Sequence, residues 1–227
     1  MKKTILTAIS TLLAAASLNA AVEISTAYTS DYYFRGVQLA DSIIEAAIEY
    51  SDGDFYLGVW TAQPFAAADD DTLYGNEIDF YGGYVIALSE TVALDVGLTA
   101  YVYPDLDEGD TATYEGYLGV SFDAPLSPAL YVYYDVTLEV LSVEGSLGYS
   151  VAIDETSSLD FGVAAGLVSP DEGDSAMYYT ASIGYGLSLA ENASFSASLN
   201  YQDGESELTG GNWDDGFYFS VGLSASF

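Results

Sequence analysis

The chain has 227 residues, 35 of them acidic and none histidine or cysteine, with a formal net charge of −32 at pH 7. That balance excludes nucleic acid as a partner, because phosphate contacts need a basic surface. The missing residue types exclude disulfides, thiolate zinc sites and Ser-His or Cys-His relays, and a composition half hydrophobic and 15% aromatic excludes a disordered acidic tail.

Residues 1–20, MKKTILTAISTLLAAASLNA, carry two lysines, an apolar run from Ile5 to Ala16, and small residues ending at Ala20. This is the pattern of a secretory signal peptide cleaved after Ala20. The apolar run is shorter than the roughly 20 residues of a membrane-spanning helix, and no later run is longer. Cleavage leaves residues 21–227 with 35 acids against Arg35, a charge of 1 − 35 = −34. That length suits one large β domain.

From Val22 onward, alternation of period two is interrupted every ten to fifteen residues by turn chemistry. It predicts about 12 strands, beginning near Val22, Ser42, Phe55, Glu77, Thr91, Thr113, Ala129, Val140, Ser158, Met177, Ser194 and Gly216. Short turns fall at Asp52-Gly53-Asp54, Ser89-Glu90, Asp154-Glu155 and Glu191-Asn192-Ala193, with 123–128 somewhat longer. Longer acidic loops fall between them at 66–76, 105–112, 169–176 and 203–215, and the connection near Thr137 to Val140 is short. Outer-membrane barrels alternate short periplasmic turns with longer external loops in this way.

The faces decide the class. In the last segment Phe217, Phe219, Val221, Leu223, Ala225 and Phe227 share one face, and Tyr218, Ser220, Gly222, Ser224 and Ser226 the other. Extended over all segments, this parity leaves no charge on the apolar face within any strand interior. The polar face collects Glu23, Asp31, Glu45, Glu49, Glu77, Asp79, Asp95, Glu115, Asp135, Glu144 and Asp160. Tyr32, Phe34, Tyr50, Phe55 and Phe122 fall near the ends of the apolar face, as interfacial girdles would. The expected fold is all-β, a single antiparallel transmembrane β-barrel with its polar face inward. A soluble β-sandwich alternates too, but it would have to hide every apolar face in one core. Terminal Phe227 is expected to be the membrane-assembly signal read by the barrel assembly machinery, with outer-membrane lipid as the surrounding partner.

The segments SDYYFRGVQLADS, EYSDGDFYLGVW and NEIDFYGGY resemble the TorF-type porin family of bacterial outer-membrane proteins. The likeness covers the first third of the chain; beyond Tyr84 the barrel pattern and length carry it. The resemblance implies an outer-membrane β-barrel regarded as a porin by its architecture, with no established substrate.

Parity places Arg35 inward, near the outer end of the first strand. If Tyr33 pairs with Glu45, then Glu45 is its diagonal neighbour, and Asp214 approaches from the last strand, so that Arg35 would bridge the strands that close the barrel. The other readings make Arg35 a selectivity element in the lumen or a surface position with no special role. Arg35, Glu45, Glu49, Glu77, Asp79, Asp95, Glu115, Asp135, Glu144 and Asp160 are the expected pore-lining charges. Rings of carboxylates make a water-filled path favour cations. Inward Gly and Ser are expected to open space, which inward Tyr81, Tyr101, Tyr103, Tyr131 and Tyr133 fill.

Asp69, Asp70, Asp71, Asp107, Glu108, Asp110, Asp171, Glu172 and Asp174 offer oxygen ligands of the kind Ca²⁺ or Mg²⁺ takes. None completes an EF-hand loop, so solvated loop acids are the preferred reading, with no cofactor required and loosely bound divalent ions as the alternative. Glu77 and Asp79 could in principle do acid and base work, but two-residue spacing is common by chance in so acidic a chain, and no enzyme is expected. The expected function is passive diffusion of small solutes, with cations preferred. The alternative is a non-conducting barrel whose acidic external loops bind divalent cations or an envelope or extracellular partner.

Overall fold

A strand of period two buries one face, and twelve strands here bury their polar faces by closing on themselves. The computed structural model describes residues 21–65, 76–105, 111–205 and 215–227. In chain order the strands are β1 (Ala21–Thr29), β2 (Tyr32–Phe34), β3 (Val37–Ala40), β4 (Ile43–Asp52), β5 (Phe55–Pro64), β6 (Glu77–Ala87) and β7 (Val92–Val102). They continue with β8 (Ala112–Phe122), β9 (Ala129–Asp135), β10 (Val140–Ala152), β11 (Ser157–Pro170), β12 (Ala176–Ala190), β13 (Ala193–Gly204) and β14 (Gly216–Ser226). All but β2 and β3 form one closed antiparallel barrel, in which β1 pairs with both β4 and β14. The last residue completes the closure: the Val22 N–H donates to the Phe227 carbonyl at 3.1 Å, and the Phe227 N–H donates back at 2.9 Å.

The short connections follow from local chemistry. Asp52 pairs with Phe55 across a two-residue loop in which Gly53 takes a φ of 62°, a left-handed conformation that glycine adopts freely. At the β10–β11 turn the Asp154 carboxylate accepts the Thr156 N–H at 2.8 Å, the Thr156 hydroxyl at 3.0 Å and the Ser157 N–H at 2.8 Å. Those bonds, the Thr156 N–H foremost, hold its carboxyl below the usual carboxylate range.

The first strand departs from expectation. It ends at Thr29, and the chain then turns inward as the separate two-stranded hairpin β2–β3. Phe34 pairs with Val37, leaving Arg35 and Gly36 as a two-residue turn with φ of 46° and 90°. Positive φ at both central residues is what a type I′ hairpin turn requires. Tyr33 therefore pairs with Gln38, not Glu45, and Glu45 lies opposite Ala27. Tyr32 and Phe34 do not join an outer girdle. Their rings lie 5.7 Å from Trp60 and 5.8 Å from Tyr101, both inward residues.

The outward face is apolar between the strand ends. Ile24, Ile48, Leu57, Phe80, Leu118, Leu199 and Leu223 are all exposed there, and Leu98 is 69% exposed. The outward hydroxyls of Thr26 and Thr61 return to backbone carbonyls, donating to Glu45 O at 2.9 Å and Glu77 O at 2.8 Å. Outward aromatics gather near the strand ends, as in Tyr28–Phe219 at 5.7 Å and Tyr201–Phe217 at 5.0 Å. A surface of this kind suits lipid, where a mid-strand Arg or Lys costs about 2–4 kcal/mol. Leu98→Arg is expected to block insertion into lipid vesicles, while Thr99→Arg, on the inward face opposite Glu115, inserts normally. Folding scored by heat-modifiable gel mobility checks this, and equal tolerance of the two would reverse the assignment of faces.

Candidate pore lumen

Tyrosine over glycine is the repeating unit of the inner wall. Tyr81 is paired directly across the strands with Gly58, Tyr56 with Gly83, Tyr117 with Gly97, Tyr131 with Gly119, and Tyr178 with Gly166. In each pair the ring lies where a Cβ on the glycine would sit, so any larger residue would strike it. These glycines are floors for rings, and they do not widen the lumen as expected.

Each ring presents its hydroxyl to the interior, and most of those hydroxyls donate to carboxylates. Tyr56 and Tyr131 donate to Asp95 at 2.8 and 3.1 Å, Tyr81 to Glu49 at 3.1 Å, and Tyr178 to Glu144 at 2.6 Å. Tyr56 and Tyr117 also share a hydrogen bond. Glu45 accepts from the Thr29 hydroxyl and from the Trp60 indole N–H at 3.3 Å. Asp135, at the outer end of β9, is used locally: one of its oxygens accepts the N–H groups of Thr137 and Leu138, both at 2.8 Å. Ser158 donates to one oxygen of Asp160 at 2.9 Å. The other Asp160 oxygen is buried without a hydrogen-bond partner, as is one oxygen each of Glu77 and Asp79.

The two sides of the lumen differ. Most inward tyrosines and Glu77, Asp79, Asp95, Glu115 and Asp135 lie on β5–β9, whereas β11–β14 face inward mainly with small residues such as Gly162, Ser182, Gly184, Ser198 and Ser220, interrupted by Asp160, Tyr178, Asn200, Gln202 and Tyr218.

Arg35 stands apart from both closure strands and bridges neither Glu45 nor β14. From the hairpin tip its guanidinium reaches β8, where Nη1 and Nη2 donate to the two Glu115 oxygens at 2.5 and 2.9 Å. The Tyr133 ring centroid is 4.1 Å from its Cζ and the Phe34 centroid 4.7 Å. Tyr101 donates to the same Glu115 at 3.0 Å. Arg35 and Glu115 are 14% and 3% exposed, and stranding one member of such a pair costs about 3–5 kcal/mol. The barrel order explains why neighbour-based reasoning missed the contact. Glu115 is 80 positions away in sequence, and adjacent β9 is six strands from β1 in either direction around the closure.

Of the expected metal ligands, Asp69, Asp70, Asp71, Asp107, Glu108 and Asp110 lie outside the described residues, as does Asp214. Among the described residues, Asp171, Glu172 and Asp174 included, no three acids come together as a metal-holding group. Expectation overlooked inward Tyr56, Trp60, Tyr117 and Tyr178, although the same parity that placed Tyr218 inward contains them. Gly119→Val is expected to push the Tyr131 ring off its floor and its hydroxyl off Asp95, costing about 1–3 kcal/mol of stability. In a Tyr131→Ala background, where the ring is already gone, Gly119→Val is expected to add little further loss. Denaturant unfolding of the folded barrel checks this, and a wild-type midpoint for Gly119→Val would contradict it.

Comparison with known proteins bears on fold and family. The KdgM porin, solved in complex with disordered oligogalacturonate, is 12% identical with a TM-score of 0.59, covering 91% of this chain and 99% of its own. The NanC porin is 13% identical with a TM-score of 0.57, over 90% and 98%. An outer membrane channel from Pseudomonas putida F1 is 11% identical with a TM-score of 0.56, over 94% and 97%. At these identities the likeness is one of fold. No curated protein matches the chain in sequence. A family model described as a bacterial protein of unknown function (Gcw_chp) matches residues 14–227, and the chain belongs to that family.

Proposed function

We propose that this protein is an outer-membrane channel for passive diffusion of small polar solutes, with a preference for cations. One observation carries the reading: inside a closed barrel the inward wall holds carboxylates on nearly every strand from β4 to β11, against a single cation that Glu115 already neutralises. Confined carboxylates draw cations into a wet lumen and repel anions. The solute path runs along the small-residue wall of β11–β14, with Asp160 on that wall and Asp95, Glu49 and Glu144 around it as the charges that select. Glu45, Glu77 and Asp79 lie nearer the outer mouth, Asp135 belongs to its turn, and Glu115 to Arg35.

Three further features support the outer-membrane setting. The apolar outward face suits lipid, the leader at 1–20 suits export, and Phe227 at the closing seam suits recognition by the assembly machinery. The TorF-type resemblance of the first third points the same way. The fold neighbours are named porins and channels; an acidic saccharide of the kind named with KdgM does not suit a lumen as acidic as this one.

Planar-bilayer recording of the refolded barrel in a KCl gradient is expected to give discrete steps with a reversal potential on the cation-selective side. Neutralising Asp95 and Glu49 together, as Asp95→Asn and Glu49→Gln, is expected to bring that potential toward zero with steps retained. Anion selectivity would overturn the assigned charges. Silence from a demonstrably folded barrel would instead favour a non-conducting barrel whose acidic loops bind divalent cations or an outside partner.

A further inference from the structure

The barrel closes without the hairpin that carries Arg35. Thr29 and Ile43 are already paired across β1 and β4, so a tight turn would join them, yet residues 30–42 are spent on an inward excursion. The excursion delivers the chain's only arginine to the far wall. There the guanidinium meets a complete recognition set: a buried carboxylate that takes it with both oxygens, a tyrosine face 4.1 Å away, and Tyr101 fixing one carboxylate oxygen at 3.0 Å. Planar bidentate pairing and π-stacking select guanidinium over ammonium.

Glu115, Tyr101 and Tyr133 all belong to barrel strands, on β8, β7 and β9. The site therefore persists if the hairpin leaves. The hairpin base is held separately, by Tyr32 against Trp60, Tyr33 against Tyr218, and the buried trio Ala40, Ile43 and Ala62. The tip is held by Arg35 and by the edge contact of Phe34 with Tyr101. We infer that the β7–β9 wall is a guanidinium-binding site with Arg35 as its built-in occupant, and that a solute bearing a guanidinium group competes for it and frees the hairpin tip. The consequence for flow rests on the channel reading, since a freed hairpin would widen the lumen; the binding does not.

Calorimetric titration of the refolded barrel with agmatine tests the site. Saturable one-site binding is expected for Arg35→Ala, at least tenfold weaker in Arg35→Ala/Glu115→Gln, and at least tenfold weaker in the wild type, where Arg35 competes. Cadaverine, which offers amines only, is expected to bind Arg35→Ala at least tenfold more weakly than agmatine. Equal agmatine affinity with and without Glu115→Gln would overturn the site. Release is read at the tip itself, from solid-state NMR dephasing between the guanidino-¹⁵N-labelled Arg35, the chain's only arginine, and ¹³C-labelled glutamate carboxylates. Saturating agmatine is expected to abolish that dephasing, and undiminished dephasing on a bound barrel would overturn the competition. Should Arg35→Ala not fold, the same titration in the otherwise wild-type barrel with and without Glu115→Gln decides both points, a response independent of Glu115 overturning the inference. None of these readouts needs ion flow, so a silent bilayer would remove the channel reading and leave the site standing.

Discussion

An apolar outer face leaves no water to satisfy backbone N–H and C=O groups, and every other feature of this protein depends on that constraint. The ladder has to close, and it does so between β1 and β14, from Glu23 opposite Ser226 to Thr29 opposite Ser220, with Val22 and Phe227 exchanging the last two bonds. Closure fixes the register all round the barrel, and a shift of one residue at any strand would turn its carboxylates into lipid and its leucines into the lumen. The acids are therefore inside because the backbone requires the hydrophobic residues to be outside.

Once inside, the carboxylates need donors, and the chain has almost no cations to offer. Tyrosine takes that role. A ring set over a cross-strand glycine fits within the narrow interior and aims a hydroxyl at Asp95, Glu49 or Glu144. Gly and Tyr on adjacent strands are thus one device, repeated four times from β5 to β9 and once more at Gly166 and Tyr178. The single arginine serves Glu115, among the most buried of the acids, and does so from a hairpin rather than from the wall.

The fold was legible in the sequence because parity is a local property: Leu98 and Thr99 declare their faces without knowledge of any partner. The inward placement of Glu49 or Asp95 follows from the same rule. What parity cannot see is a segment that keeps alternating after leaving the sheet, and Tyr32-Tyr33-Phe34 does so. The signal for the departure was Arg35-Gly36, since a two-residue turn with positive φ at both positions favours glycine at the second. The Arg35–Glu115 contact was out of reach for a different reason. It joins opposite walls, and register relates only neighbouring strands. The tyrosine–glycine pairing was present in the letters, but seeing it needed the exact pairing of Gly97 with Tyr117 or Gly119 with Tyr131, which segment starts known only to within a few residues do not supply.

The chain contains one arginine, so guanidino-¹⁵N-arginine labels a single site in the folded barrel. Solid-state NMR dephasing between those nitrogens and ¹³C-labelled glutamate carboxylates, compared between the wild type and Glu115→Gln, measures the contact on which the arrangement of the lumen turns. Strong dephasing that disappears with Glu115→Gln is the predicted result. Dephasing that survives the substitution, with Glu45 as the partner, would return Arg35 to the closing seam and contradict the hairpin that crosses the lumen.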